Sequence, residues 1–189
     1  MDEGPLESLF TAAATDQAAR QKLFATLYQE LHRVAARELR RSGGALAMSP
    51  TTLLHEAYLD IAGREGTSFP DRARFIAYAA RAMRGLVIDF AREHRAQKRG
   101  GNFEITQLAT AAGDGIAEPV EDLGRLSEAL DELAQADPAL AELVDLKYFC
   151  GFSFTEIAAM RGVSERTVQR DWQKARLFLF QSLKESLPG

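Results

Sequence analysis

The stretch SFTEIAAMRGVSERTVQRDWQKAR, residues 153–176, contains the start and stop signals of two short helices joined by a tight turn. Ser153 is a good N-cap, and Glu156, three residues later, can accept a hydrogen bond from the amide of the cap. Gly162 can adopt the left-handed conformation that ends a helix, and Ser164 can cap the second helix. The stretch therefore predicts a helix-turn-helix.

The two predicted helices each have an apolar and a polar side. Ile157 and Ala158 on the first helix, with Val163 and Val168 across the turn, can lock the pair together. The outward residues are Glu165, Arg166, Gln169, Arg170, Gln173 and Lys174. Arg and Gln can make paired hydrogen bonds to guanine and adenine edges. With net charge +3 over residues 161–176, this pattern favours DNA binding over an ordinary helical hairpin with a solvated face.

Length and composition indicate a globular protein. The chain has 189 residues, 46% hydrophobic and 26% charged, and no apolar run of about 18 residues that could span a membrane. Its amino terminus, MDEGPLESLF, is acidic rather than basic, so we expect a cytoplasmic protein without a membrane partner. The single Cys150 and three scattered histidines have no metal-ligand spacing, so neither a metal nor another cofactor is predicted.

Charge is divided into blocks along the chain, although the formal net charge is only −4. Residues 72–99 carry eight basic and two acidic side chains, a net charge of +6, whereas residues 100–145 carry one basic and eleven acidic, a net charge of −10. Two basic blocks on either side of an acidic one indicate two nucleic-acid surfaces. The acidic connector between them either avoids DNA or shields a basic face.

Helical periodicity predicts an all-α fold. Leu23, Leu27, Leu31 and Val34 predict one long helix over residues 16–41. Ser49 with Pro50 starts the next helix, which runs to Gly63, and Asp71 caps a third that carries Phe75, Tyr78 and Phe90 as core residues,. Helical pattern returns over residues 123–133, and Asp137 before Pro138 starts another helix,.

We predict two small helical domains joined by a flexible linker. The first covers residues 1–99, and the second, residues 123–189, contains the helix-turn-helix. Between them, residues 100–122 are rich in glycine, alanine and acidic side chains and show no sustained apolar period,.

This arrangement resembles the extracytoplasmic-function (ECF) sigma factors of bacterial RNA polymerase over nearly the whole chain. In that family, the segment similar to TLLHEAYLDIA docks on the polymerase clamp, the one similar to RFIAYAARAMRGLVIDFAREHR belongs to promoter opening, and the helix-turn-helix reads the upstream promoter element. HEAYL, KRGG and RDWQKAR resemble one subgroup that is associated with serine/threonine kinases. The resemblance implies as partners core RNA polymerase, at its β′ clamp and β flap, promoter DNA, a kinase and an anti-sigma factor.

The resemblance also implies site residues. In the clamp-docking helix, Leu54, Tyr58 and Ile61 serve the core, and the polymerase-binding residues are Leu53, His55, Glu56 and Leu59. A flipped base of the minus-10 element would lie near Thr67, Ser68, Phe69, Arg72 and Arg74, with Phe69 as the stacking ring, and the DNA backbone would contact Arg81, Arg84, Arg92 and Arg95. In the minus-35 element, bases would meet Glu165, Arg166, Gln169 and Arg170, and phosphates Lys174 and Arg176.

Two positions depart from the commoner family pattern. Trp172 is expected to pack against the preceding helices, and Asp171 to orient Arg170 or to reject a competing base.

The most consequential departure is SPTT at residues 49–52, where many relatives carry an acidic quartet. Loss of that negative charge should weaken docking on a basic clamp. A phosphate adds about −1.5 to −2 charge and is favoured at a helix amino terminus, so we expect activation by phosphorylation at Thr51 first and Thr52 second. The alternative is that Ser49 and Thr52 are only capping residues.

Two other functional classes lead to different expectations. A free-standing transcriptional regulator could use the same helix-turn-helix as a dimer on a palindrome, and it would footprint DNA without polymerase. An enzyme would need a nucleophile with its base, a phosphate loop or metal spacing, none of which the sequence shows. We therefore expect no catalytic residue and no enzymatic activity of this chain.

Overall fold

Every regular element in the part of the chain that the structure describes is a helix. The structure is a computed structural model, and it describes residues 4–13, 15–42, 48–63, 69–100 and 120–185. The helices are α1 Gly4–Ala13, α2 Gln17–Thr26, α3 Tyr28–Arg41, α4 Pro50–Ala62, α5 Arg72–Gly100, α6 Val120–Ala136, α7 Pro138–Val144, a π-helical turn Asp145–Cys150, α8 Phe154–Arg161 and α9 Glu165–Glu185. The all-α prediction is confirmed. None of the described helices is long and apolar enough to cross a membrane.

The predicted helix starts are confirmed by their caps. The Ser49 hydroxyl accepts a hydrogen bond from the Thr52 amide at 3.1 Å, ahead of a proline in the first turn of α4. Asp71 accepts from the Arg74 amide at 2.8 Å at the start of α5. At the start of α7, Asp137 accepts from the two amides of Ala139 and Leu140. Each cap satisfies donors that the first helical turn leaves without a partner.

The predicted long helix over residues 16–41 is wrong, because the helix breaks at Leu27 into α2 and α3. Next to the break, the Thr26 hydroxyl donates to the Lys22 carbonyl at 2.8 Å, a contact that bends helices. Leu23 and Leu31 nevertheless stay in the core on either side. Helix α1 was not predicted, although Leu6, Leu9, Phe10 and Ala13 have helical spacing.

Helices α1 to α5, the first helical group, surround an aromatic cluster. Phe75 on α5 lies at its centre, with ring centroids 6.2 Å from Phe10, 5.2 Å from Phe24 and 5.1 Å from Phe69. The Phe24 ring meets the Tyr58 ring of α4 edge to face. The prediction that Phe75 belongs to the core is confirmed: its ring connects α5 directly to α1 and α2, and α4 joins the cluster through Phe24.

The segment from α6 to α9, the second helical group, holds the helix-turn-helix. Ile157, Ala158 and Val168 are buried in one cluster, as predicted, whereas Val163 is 43% exposed and does not lock the pair. The π-helical turn ends at Gly151, whose φ of 82° lies in the left-handed region. Glycine is favoured there because residues with a Cβ rarely adopt this conformation; a Cβ would also force the guanidinium of Arg37 on α3 to shift.

The two helical groups are in contact. Helix α5 packs against α6, α7, α8 and the π-helical turn, and α3 also touches that turn. The predicted linker, residues 100–122, lies largely outside the described residues, which stop at Gly100 and resume at Val120. The division into two domains with a flexible connection therefore stays a prediction.

Candidate nucleic-acid interface

The first helix of the helix-turn-helix begins with a reciprocal capping box. The Ser153 hydroxyl accepts from the Glu156 amide at 3.2 Å, and the Glu156 carboxylate accepts from the Ser153 amide at 2.7 Å and from its hydroxyl at 2.8 Å. These hydrogen bonds favour the ionised carboxylate and lower the pKa of Glu156,. Gly162 has φ 64°, and Ser164 accepts from the Thr167 amide at 3.2 Å. The predicted caps and the predicted glycine turn of this motif are confirmed.

Helix α9 presents a polar face opposite its buried one. Val168 and Ala175 are buried against α8 and the rest of the second helical group. The exposed residues on the first half of α9 are Glu165, Arg166, Gln169, Arg170, Gln173, Lys174 and Arg176. The six side chains predicted to point outward therefore do so, together with Arg176. We call this surface the recognition face.

Hydrogen bonds hold part of the recognition face in position. Glu165 accepts from the Thr155 hydroxyl of α8 at 3.0 Å and from the Gln169 amide group at 3.0 Å. Asp171 lies 3.1 Å from the Lys174 ammonium and 3.8 Å from the Arg170 guanidinium, a separation compatible with its predicted orienting role. Trp172 packs on the Phe154 ring of α8 at 6.1 Å, which confirms its expected packing.

Helix α4 leaves three of its four predicted polymerase-binding residues at least partly exposed. His55 and Leu59 are exposed and Glu56 is half-buried. Leu53 is fully buried, so the expectation that it contacts a partner is wrong for this arrangement. The reason is helical geometry, because Leu53 and Leu54 both lie on the buried side of α4, in the core cluster, and α4 packs against α3 and α5.

The SPTT segment starts α4. Besides capping the Thr52 amide, the Ser49 hydroxyl lies 2.8 Å from the Thr52 hydroxyl. Thr51 and Thr52 are both exposed in the first turn. Ser49 is therefore a capping residue, as the alternative expected, and the Thr52 hydroxyl contacts it. The Thr51 side chain is not part of this cap.

Phe69 is not placed as a stacking platform. Its ring is 6% exposed and packs edge to face on Phe75 and Tyr78, with both centroids 5.1 Å away. The expectation that it is available to a flipped base is wrong for this arrangement. The ring is buried because packing on the aromatic cluster is more favourable than exposure to solvent. Thr67 and Ser68 lie outside the described residues, as does the side chain of Arg95.

The described arginines of α5 have acidic neighbours. Arg72 makes a two-pronged contact with Glu30 of α3, at 2.6 and 3.2 Å. The others meet the second helical group, at 3.6 Å for Arg74 and Glu142, 3.5 Å for Arg81 and Asp131, 2.8 Å for Arg84 and Asp145, and 4.0 Å for Arg92 and Glu128. We call these four arginines the arginine face and their four partners the acidic cover.

Arg84 is buried rather than presented to solvent. It is 1% exposed, so its predicted surface position is wrong. Its charge is buried together with that of Asp145, with which it forms an ion pair,. Burial raises the pKa of the Asp145 carboxyl, and the Arg84 guanidinium opposes that shift. Burial also raises the pKa of the Cys150 thiol well above its ordinary value, which keeps it in the unreactive protonated form.

One surface feature was missed from the sequence. A groove of about 690 Å³ lies between α6, the π-helical turn and α9. Its lining includes the apolar Leu126, Trp172 and Phe180 and the basic Arg125, Arg176 and Lys184. Phe180 is 60% exposed. The signal was the run LFLF at residues 177–180, because four consecutive apolar residues on a helix cannot all face one core.

Among the described residues, no group of three or more His, Cys, Asp or Glu side chains is arranged to hold a metal ion. The candidate surfaces for binding are the recognition face, the exposed side of α4, the arginine face and the α6/α9 groove.

Comparison with known proteins agrees with the sequence resemblance. No curated protein matches the sequence. Among solved structures, CnrH in complex with the cytosolic domain of CnrY is similar, with 22% identity, a TM-score of 0.39, and coverage of 96% of this chain and 98% of that one. The model of the family described as ECF sigma factor matches residues 8–185. With nearly the whole chain matched, the protein belongs to the ECF sigma factor family.

Proposed function

We propose that this sigma factor directs core RNA polymerase to its promoters by reading the minus-35 element with the recognition face of α9. The observation that carries the proposal is the exposure of Arg166, Gln169 and Arg170 side by side, on a helix whose other face is buried. Arginine and glutamine suit the major groove, because each can make paired hydrogen bonds to a base edge. Lys174 and Arg176 follow on the same helix as phosphate contacts.

Polymerase contacts are assigned to two exposed surfaces. The side of α4 with His55, Glu56 and Leu59 docks on the β′ clamp. The α6/α9 groove suits an amphipathic helix that also carries acidic side chains, because its lining combines apolar residues with Arg125, Arg176 and Lys184,; we assign it to the β flap. The polymerase supplies all the chemistry, and this chain has no enzymatic role. An anti-sigma factor as a further partner stays a prediction from the sequence.

The arginine face is assigned to the DNA backbone at the minus-10 element. Guanidinium groups bind phosphates through charge-assisted hydrogen bonds. Arg74 and Arg92 keep about three-fifths of their side-chain surface exposed, so they can exchange a carboxylate for a phosphate. Nε and Nη2 of Arg81 are buried and need the second helical group to move first.

Arg166→Ala should reduce run-off transcription from a cognate promoter by about tenfold, since one paired base contact contributes about 1–3 kcal/mol of discrimination. The measurement uses core polymerase reconstituted with the full chain. Arg33→Ala, the same change at an exposed position of α3, is the control and should transcribe like wild type. Equal transcription by both variants would remove α9 from the proposed role. A footprint by the chain alone, with no transcript on adding core polymerase, would instead favour a free-standing regulator.

Activation by phosphorylation of Thr51, by a serine/threonine kinase, is the second part of the proposal. Thr51 is exposed in the first turn of α4, where the helix dipole favours negative charge. The Thr52 hydroxyl is already within hydrogen-bonding distance of Ser49, which favours Thr51 as the acceptor. A phosphate there restores the negative charge that SPTT lacks next to the clamp-docking helix.

Thr51→Glu should bind core polymerase about tenfold more tightly than Thr51→Gln, because the two side chains have nearly the same size and differ in charge. Affinity is measured by fluorescence anisotropy of the labelled chain titrated with core enzyme. Protein carrying phosphothreonine at position 51 extends the test, since a phosphate carries more charge than glutamate. Equal affinities of all three forms would contradict activation at Thr51 and leave promoter recognition by α9 untouched.

A further inference from the structure

The arginine face that we assign to DNA is covered by the second helical group. Its members are 7, 3 and 8 residues apart along α5, spacings that place them on one side of a helix. The acidic cover comes from three consecutive elements, with Glu128 and Asp131 on α6, Glu142 on α7 and Asp145 on the π-helical turn. Each arginine therefore faces an anionic oxygen of the same chain.

Apolar contacts hold the cover in place. Ala73 and Ala77, in the first two turns of α5, lie in one buried cluster with Leu143, Leu146 and Ile157 of the second helical group. The small alanine side chains let the helices approach closely, which keeps the arginines and carboxylates within a few ångströms of one another.

Two arginines also contact aromatic rings of the π-helical turn. The Arg84 guanidinium lies 4.0 Å from the centroid of the Phe149 ring. Arg41 of α3 lies 3.7 Å over the Tyr148 ring and donates a hydrogen bond to the Tyr148 carbonyl. These cation–π contacts connect both α3 and α5 to the turn that supplies Asp145.

The polar centre of this contact is incompletely satisfied. Within the described residues, Nε and Nη2 of Arg84, Nη1 of Arg41 and Oε1 of Glu38 are buried without a hydrogen-bond partner. Buried polar atoms without partners oppose the contact. In a buried ion pair, the attraction between the charges does little more than offset the cost of removing them from water. The contact is therefore one that a competing partner can displace.

We propose that the acidic cover is autoinhibitory: in the free chain its carboxylates occupy the places that DNA phosphates take on the arginine face, and the second helical group moves away before that face binds DNA. The inference rests on the proposed function, which assigns the arginine face to DNA. Carboxylate and phosphate both present anionic oxygens to a guanidinium, so they compete for the same arginines.

The test measures binding of a short, fluorescently labelled single-stranded DNA of mixed sequence to the full chain without polymerase, at about 50 mM salt, where phosphate contacts are strong. Asp145→Asn should raise the affinity about tenfold and Asp131→Asn about threefold, by freeing arginines. Glu132→Gln is the matched control, because it neutralises the neighbouring carboxylate on α6, which accepts from Ser182 of α9 instead of meeting α5. It should bind like wild type.

Opening itself is measured by small-angle scattering, and Asp145→Asn should have the larger radius of gyration. Because Asp145 is buried, circular dichroism checks that Asp145→Asn folds. If it does not fold, the test uses Asp131→Asn, because Asp131 is exposed. Unchanged DNA affinity in the folded variants, or an equal gain in Glu132→Gln, overturns the autoinhibition.

A separate measurement keeps the proposed function distinguishable. The variant Arg81→Ala/Arg92→Ala is assayed for promoter opening in the polymerase holoenzyme. If the double variant loses promoter opening but the Asp145→Asn and Asp131→Asn variants bind DNA no more tightly than wild type, the autoinhibition alone is overturned. Normal opening by the double variant overturns the DNA role of the arginine face, and the autoinhibition with it.

Discussion

The variant Glu38→Gln is expected to be more stable than the wild-type chain above pH 7 and about equally stable near pH 4.5. Glu38 lies buried on α3, and burial raises its pKa from the ordinary 4.5 to about 7, against the opposing charges of Arg84 and Arg41. Between those two values the folded chain holds a proton that the unfolded chain has lost. Wild-type stability therefore falls as pH rises through this window.

The size of this effect follows from the two pKa values. At about 1.4 kcal/mol for each pH unit between them, ionising Glu38 in the folded chain costs about 3 kcal/mol once the pH exceeds 7. Glutamine keeps the shape and cannot ionise, so its advantage in unfolding free energy should grow by about 3 kcal/mol from about pH 4.5 to pH 8. Asp145 and Arg37 also face Glu38, and both stay present in the two proteins compared.

Urea denaturation of both proteins at several pH values measures this difference. Glu132→Gln, the same chemical change at an exposed position of α6, accounts for the loss of one negative charge. An advantage of Glu38→Gln that is independent of pH would contradict the argument, because a fixed packing gain does not depend on a proton.

Phe75→Ala is expected to lower the free energy of unfolding by about 3–5 kcal/mol, the range for removing a buried phenylalanine ring. Phe75 is 1% exposed, and its ring meets those of Phe10, Phe24 and Phe69 from three other parts of the chain. These neighbours come from separate segments and cannot all close on the cavity, so we expect a loss in the upper part of that range.

Phe180→Ala is the matched control, because the same ring is 60% exposed on α9. Its effect on stability should be within about 0.5 kcal/mol of zero, as for surface substitutions generally. Urea denaturation gives both values. A loss below about 1 kcal/mol for Phe75→Ala would mean that the aromatic cluster is not the centre of the first helical group.

Local signals predicted most of the helical framework. Ser49, Asp71, Asp137 and Ser153 cap helices where the sequence places them, because a cap is a contact between residues two or three positions apart. The same holds for the left-handed Gly162 and for the exposed side chains of the recognition face. The break at Leu27, next to the Thr26 hydroxyl that donates to the Lys22 carbonyl, was missed because the apolar period continues across it from Leu23 to Leu31.

The exposure of the candidate site residues was predicted well where it depends on one helix and poorly where it depends on two. Arg166 and Gln169 are exposed because their own helix turns them outward. Leu53, Phe69 and Arg84 are buried by other segments, and no spacing within α4 or α5 could reveal that. The α6/α9 groove likewise requires the distance between two helices, although LFLF in α9 shows that apolar side chains must remain uncovered.

The sequence by itself determined the helical class, the helix-turn-helix and the family, since these depend on caps, periodicity and motif order along the chain. Only the tertiary structure decided that the arginines of α5 lie against Glu128, Asp131, Glu142 and Asp145. A charge count shows basic and acidic blocks, but Coulomb attraction selects partners by distance in space. Residues 61 positions apart, such as Arg84 and Asp145, become neighbours only when the helices pack.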